Sequence, residues 1–263
     1  MHKRNPIYIV LLILAFIFSL VGWFSLEGVL FNGSATTGVI IVAAFFLMLG
    51  AVLGFLFLLY DSFWLLILAP VVSVVAFLIF FGPKPIYLAV AFVGLALVAL
   101  AAREAMKEKK AHIKVMPKEI VKPALGAIFT LLALLISAVI YFSPPAQQIS
   151  VDIKVPRALF NFVVTSMTSV APSSLIPIDQ VLDQATQEKL YLAINNQINF
   201  FLQPYKKYLP YGLAVAVFLS LKAVSFIFVW MAMGMIQFAY VLARKLKLIA
   251  IRTEMTEREI IDF

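Results

Sequence analysis

The residue best placed to do chemistry in this 263-residue chain is Lys222, an ammonium set within an otherwise apolar run from Leu209 to Ala243. Ser220 and Ser225 flank it and Gln237 follows further along, so Lys222, Ser220, Ser225 and Gln237 form a candidate polar path for an anion or small solute. A cation at the bilayer centre costs at least ~3 kcal/mol and marks a functional position, whereas one at the rim snorkels to water cheaply. Counting inward from Arg244, about 20 residues of helix reach the far rim at Lys222. That frame sets the crossing at Ala223 to Ala243 and continues Leu209 to Leu221 as helix above the bilayer. A competing frame, Leu209 to Val229, buries Lys222 near the midplane.

Most other chemistries lack their residues. The sequence has no cysteine, which removes disulfides, thiolate metal sites, iron–sulfur ligation and cysteine nucleophiles. Its two histidines, His2 and His112, both fall in polar, basic tracts, leaving no zinc pair, bis-histidine haem or Ser–His dyad inside a span. No glycine-rich phosphate loop is present. Asp61 is expected to cap a helix in a tight turn. The expectation is a chain with no catalytic residues, no metal site and no cofactor.

The elements that must position these groups are apolar blocks. Ile7 to Leu26, Val39 to Tyr60, Phe63 to Phe81, Ile86 to Ala102, Pro123 to Phe142 and Leu209 to Ala243 each approach or exceed the ~20 residues that cross ~30 Å of hydrocarbon as helix. The chain is 63% hydrophobic and 13% charged, where a soluble domain carries roughly a quarter charged residues. The expected fold is an all-α polytopic membrane protein, with six transmembrane helices and a small, mostly helical extracytoplasmic domain between the fifth and sixth. Its parts are a four-helix region (1–102), a basic cytoplasmic loop (103–122), the fifth helix (123–143), the extracytoplasmic domain (144–208), a long sixth helix (209–243) and a cytoplasmic tail (244–263). Pro85 and Pro123 suit first helical turns, and Pro70 predicts a kink inside the third span.

The net charge of +8 is concentrated beside the spans. Arg103, Lys107, Lys109, Lys110, Lys114, Lys118 and Lys122 are expected to rest on anionic head groups, each cation near the surface contributing about 1 kcal/mol. No aromatic-rich basic face accompanies them, which argues against nucleic acid as a partner. Positive residues in short loops stay cytoplasmic, so both termini are expected inside, in a bacterial or archaeal plasma membrane.

Two features point to partners. A helix from near Asp179 to Gln203 sets Leu190, Ile194, Ile198, Phe201 and Leu202 on one face, opposite Asp183, Gln184, Glu188, Asn195, Asn196 and Asn199. Its apolar face is the candidate surface for a protein partner or for self-association. Gly50 and Gly54 form a small-xxx-small pair that admits a close helix. The function these residues lead one to expect is an integral membrane scaffold or assembly component without catalysis. The alternative is a channel or transporter whose path Lys222 lines, with a lipid-modifying enzyme as a minor third reading.

Overall fold

The computed structural model describes residues 6–31, 36–111, 117–149, 155, 157, 160, 161 and 184–246. Among these every regular element is helical: α1 (Pro6–Phe31), α2 (Thr36–Leu59), α3 (Phe63–Phe81), α4 (Pro85–Ala111), α5 (Pro117–Tyr141), α6 (Pro144–Ile149), α7 (Gln184–Leu202) and α8 (Leu209–Lys245). A 3-10 turn, Gln203–Tyr208, joins α7 to α8. Six helical runs, namely α1 to α5 and the one that ends in α8, are long and apolar enough to cross a membrane, as expected of an integral membrane protein. The short helix α6 takes up Ile149, which the alternation of Ile149, Val151, Ile153 and Val155 assigns to an extended segment.

The chain divides into two compact units, with boundaries at Leu135/Ile136 and Leu219/Ser220. In the larger unit α1 packs on α2 and α3, and α3 on α4. Its centre is aromatic. Trp23 is fully buried, with ring centroids 4.7 Å from Phe46 and 5.0 Å from Phe77, both in edge-on geometry. Tyr87 of α4 stands edge-on to Phe77 at 5.2 Å. Such arrangements favour the ring quadrupoles beyond simple contact. One helical turn from Trp23, the buried Ser19 hydroxyl donates to Ser73, so the two polar groups satisfy each other.

Glycines let the large rings in. A Cβ on Gly22 would strike Phe46, one on Gly50 would fall on the Phe129 ring, and one on Gly94 would overlap Leu131. A Cβ on Gly54 would meet Ile236, Leu125 and Val121. The Gly50 and Gly54 pair is therefore filled from within the chain, by α5 and α8.

Three boundaries differ from the sequence expectation. α4 runs nine residues past Ala102, through Arg103, Lys107, Lys109 and Lys110, because Arg, Glu, Ala, Met and Lys are strong helix formers that need no lipid to stay helical. α5 begins at Pro117, which fills the first turn expected of Pro123. Pro123 thus lies inside the helix, where it withholds the donor that Glu119 would otherwise receive. The expected basic loop is mostly helix. Only residues 112–116, with Lys114, fall outside the described residues.

Overpacking at Gly50 is the direct test of this core. Gly50→Val is expected to cost about 1–3 kcal/mol in thermal unfolding of the detergent-solubilised protein. Gly234, whose Cβ position is open, should accept alanine without loss, and equal destabilisation by both changes would contradict the packing described.

Candidate functional site

Lys222 projects from the first half of α8, thirteen residues from Leu209, about 20 Å along the axis. Its ammonium donates to the Thr130 hydroxyl on α5, ninety-two positions away in sequence. Thr130 in turn donates to the Gly126 carbonyl at 2.6 Å, one turn back on its own helix. A threonine hydroxyl bonded to its i−4 carbonyl keeps its lone pairs for an outside donor. This is how a neutral residue holds the lysine.

The depth of that contact can be gauged inside the larger unit. The neighbours of Thr130, Phe129 and Leu131, fill the spaces left by Gly50 on α2 and Gly94 on α4. Gly50 is nine residues, about 14 Å, from the Leu59 end of α2, and Gly94 equally far from Pro85. Thr130 is therefore level with helix interiors rather than helix ends.

The rest of the candidate path is not gathered around the ammonium. The Ser225 hydroxyl donates to the Lys222 carbonyl at 2.7 Å. Gln237 is exposed and fifteen residues on, about 22 Å along the axis. Ser220 is also exposed. Thr130, which completes the contact, escaped sequence reading because a single threonine in an apolar helix carries no periodic signal.

At the other candidate surface, the basic tract is not uniform. Lys109 turns toward the α2–α3 junction and donates to the Tyr60 carbonyl at 2.6 Å and to Asp61 Oδ1 at 2.8 Å. Its side chain is 12% exposed against 85% for Asp61. Two corrections follow. Lys109 leaves the set of head-group cations, and Asp61 anchors it rather than capping α3, whose N-cap Ser62 makes no side-chain bond. Tyr8 closes the same junction, edge-on to Tyr60 at 5.1 Å and donating to the Leu65 carbonyl at 3.0 Å. Arg103 lies over the Phe63 ring at 5.6 Å and Lys118 over the Trp230 ring at 5.8 Å, while Lys107 and Lys122 are exposed.

In the smaller unit α7 reverses the usual amphipathic arrangement. Asn195 is buried; its Oδ1 accepts from the Val155 N–H at 2.7 Å and its amide donates to the Tyr191 carbonyl at 2.7 Å. The Tyr191 hydroxyl donates to the Val155 carbonyl at 2.8 Å, so both backbone groups of one residue are held by two side chains a turn apart. Arg157 pairs with Glu188 at 2.8 Å and stacks 5.1 Å from the Tyr191 ring. Asn195 is thus corrected from the solvent face to the buried one. Of the expected interaction face, Leu190, Ile194 and Phe201 are exposed and Ile198 and Leu202 half-buried. Two adjoining recesses, about 350 and 510 Å³, share Arg157, Glu188 and Tyr191.

Comparison of the chain with protein-family models, curated proteins and solved structures finds no match in any of the three.

The Lys109 junction yields a graded test. Lys109→Ala removes two hydrogen bonds and is expected to lower unfolding stability by roughly 1–2 kcal/mol, whereas Asp61→Ala, acting on an exposed carboxylate, should cost no more than about 1 kcal/mol. Thermal melts that rank the two the other way would show that the carboxylate, not the Tyr60 carbonyl, holds the junction.

Proposed function

We propose that this chain is an integral membrane scaffold or assembly component that performs no catalysis. Both termini face the cytosol, and residues 144–208 stand on the opposite side as a small extracytoplasmic domain. The observation that carries the reading is α7. It turns Tyr191 and Asn195 inward and leaves Leu190, Phe200 and Phe201 uncovered, with Phe200 69% exposed. A helix in water does the opposite, and apolar side chains uncovered together mark a contact with something else. The occupant in this reading is a protein partner or a second copy of the chain.

On the cytosolic side the exposed Arg103, Lys107, Lys118 and Lys122, with Lys110 and Lys114, attract anionic head groups. The same residues support the orientation, since cations in short connections remain inside.

A second reading has its own observation. The bond between Lys222 and Thr130 supports the frame in which α8 carries its lysine inside the hydrocarbon, where a cation costs at least ~3 kcal/mol and is kept for use. In that reading the chain is a channel or transporter.

Replacing Leu190 and Phe201 together by glutamine separates a contact surface from a folded core. The double variant is expected to melt like the parent yet migrate as a smaller complex after mild detergent extraction. Asn195→Ala should instead lower stability by about 1–3 kcal/mol through the unsatisfied Val155 amide. Unchanged complex size in the double variant removes α7 from assembly.

A further inference from the structure

We infer that Lys222 and Thr130 form an intramembrane anion site. The inference deepens, and rests on, the reading of the chain as a channel or transporter.

Three observations carry it. First, Thr130 is level with the interiors of α2 and α4, because Phe129 and Leu131 on either side of it fill the Gly50 and Gly94 spaces. Lys222 bonds to it there, so the ammonium lies well below either rim. Second, Thr130 is its one hydrogen-bond partner among the described residues, and it is neutral. An ammonium has three N–H donors, so two remain after this bond. Third, the acidic residues described on the apolar helices are remote from this level. Asp61 is committed to Lys109 at a helix junction, Glu104 and Glu108 lie beyond Ala102, Glu119 is in the first turn of α5, and Glu27 is four residues from the Phe31 end of α1. Among the described residues the chain therefore sets a positive charge, exposed on the surface of α8, at this level without a counter-charge.

A charge held in low dielectric without a fixed partner binds a mobile one of opposite sign. The Thr130 hydroxyl, which spends its own proton on Gly126, orients the ammonium without competing for the ligand. The ligand class is a small monovalent anion that accepts from two N–H groups: a halide, nitrate or a carboxylate. A phospholipid phosphate drawn inward offers the same chemistry.

The test uses the full chain purified in a maltoside detergent free of phosphate, with chloride as the probe. Excess chloride-35 line broadening, displaceable by nitrate, is expected for the parent and for Lys222→Arg. It should weaken at least tenfold in Lys222→Met and severalfold in Thr130→Val, with all variants monodisperse on size exclusion. Broadening that survives intact in Lys222→Met overturns the site. Native mass spectrometry separates the sources: a phospholipid retained by the parent and lost in Lys222→Met assigns the anion to lipid, and its absence assigns it to solution. Chloride and potassium flux into vesicles of this protein separates the inference from the reading beneath it. Lys222-dependent chloride binding without flux of either ion upholds the site and rejects the conduit. Potassium flux without chloride binding does the reverse.

Discussion

Hydrocarbon offers no hydrogen-bond partner, and the rest of this structure depends on that deficit. A peptide group that enters the bilayer must be satisfied within its own helix, so the long apolar blocks can only be α-helices. The same deficit governs side chains. Ser19 and Ser73 satisfy each other, Thr130 bonds back to Gly126, and Ser225 bonds back to the Lys222 carbonyl. The exception is the indole N–H of Trp23, fully buried and without an acceptor among the described residues. Its ring contacts with Phe46 and Phe77 offset that loss. Against this background Lys222, exposed on α8, has one side-chain hydrogen-bond partner among the described residues, the neutral Thr130 hydroxyl.

Packing rather than polarity then assembles the helices. Lipid tails are as apolar as leucine, so helix association relies on close fit, and the fit here is glycine against large side chain: Gly22 with Phe46, Gly50 with Phe129, Gly94 with Leu131. The smaller unit uses the opposite logic. There two polar side chains of α7 hold the Val155 backbone, and Leu190, Phe200 and Phe201 of the same helix are left exposed. One region closes on itself by tight packing; the other leaves these three apolar side chains exposed. That contrast is what the proposed scaffold reading rests on.

The spans were legible because a run of about 20 apolar residues has few other uses. Phe63–Phe81 agrees at both ends, fixed by the Asp61–Ser62 turn and by Gly82, whose φ of 76° suits a residue without Cβ. Helix ends beside basic tracts were not legible, since Arg103 to Lys110 favours helix whether or not lipid surrounds it. Pro117 and Pro123 both satisfy the rule for a first turn, and sequence alone does not rank them. The burial of Asn195 depends on Val155, forty residues earlier, and the setting of Lys222 on Thr130, ninety-two residues earlier. Periodicity sees one helix face at a time and is blind to such pairings.

We propose, as the basis of the second reading and of the anion site, that α8 carries Lys222 inside the hydrocarbon. The absence of native cysteine allows single spin labels at the exposed Leu219, Phe226 and Met231 of the full chain in lipid nanodiscs, with oxygen and a water-soluble nickel chelate as competing relaxants. Oxygen access is expected to peak between Leu219 and Phe226, on either side of the lysine. A peak near Met231, with Leu219 as open to the nickel reagent as a loop residue, would place Lys222 at the rim and contradict it.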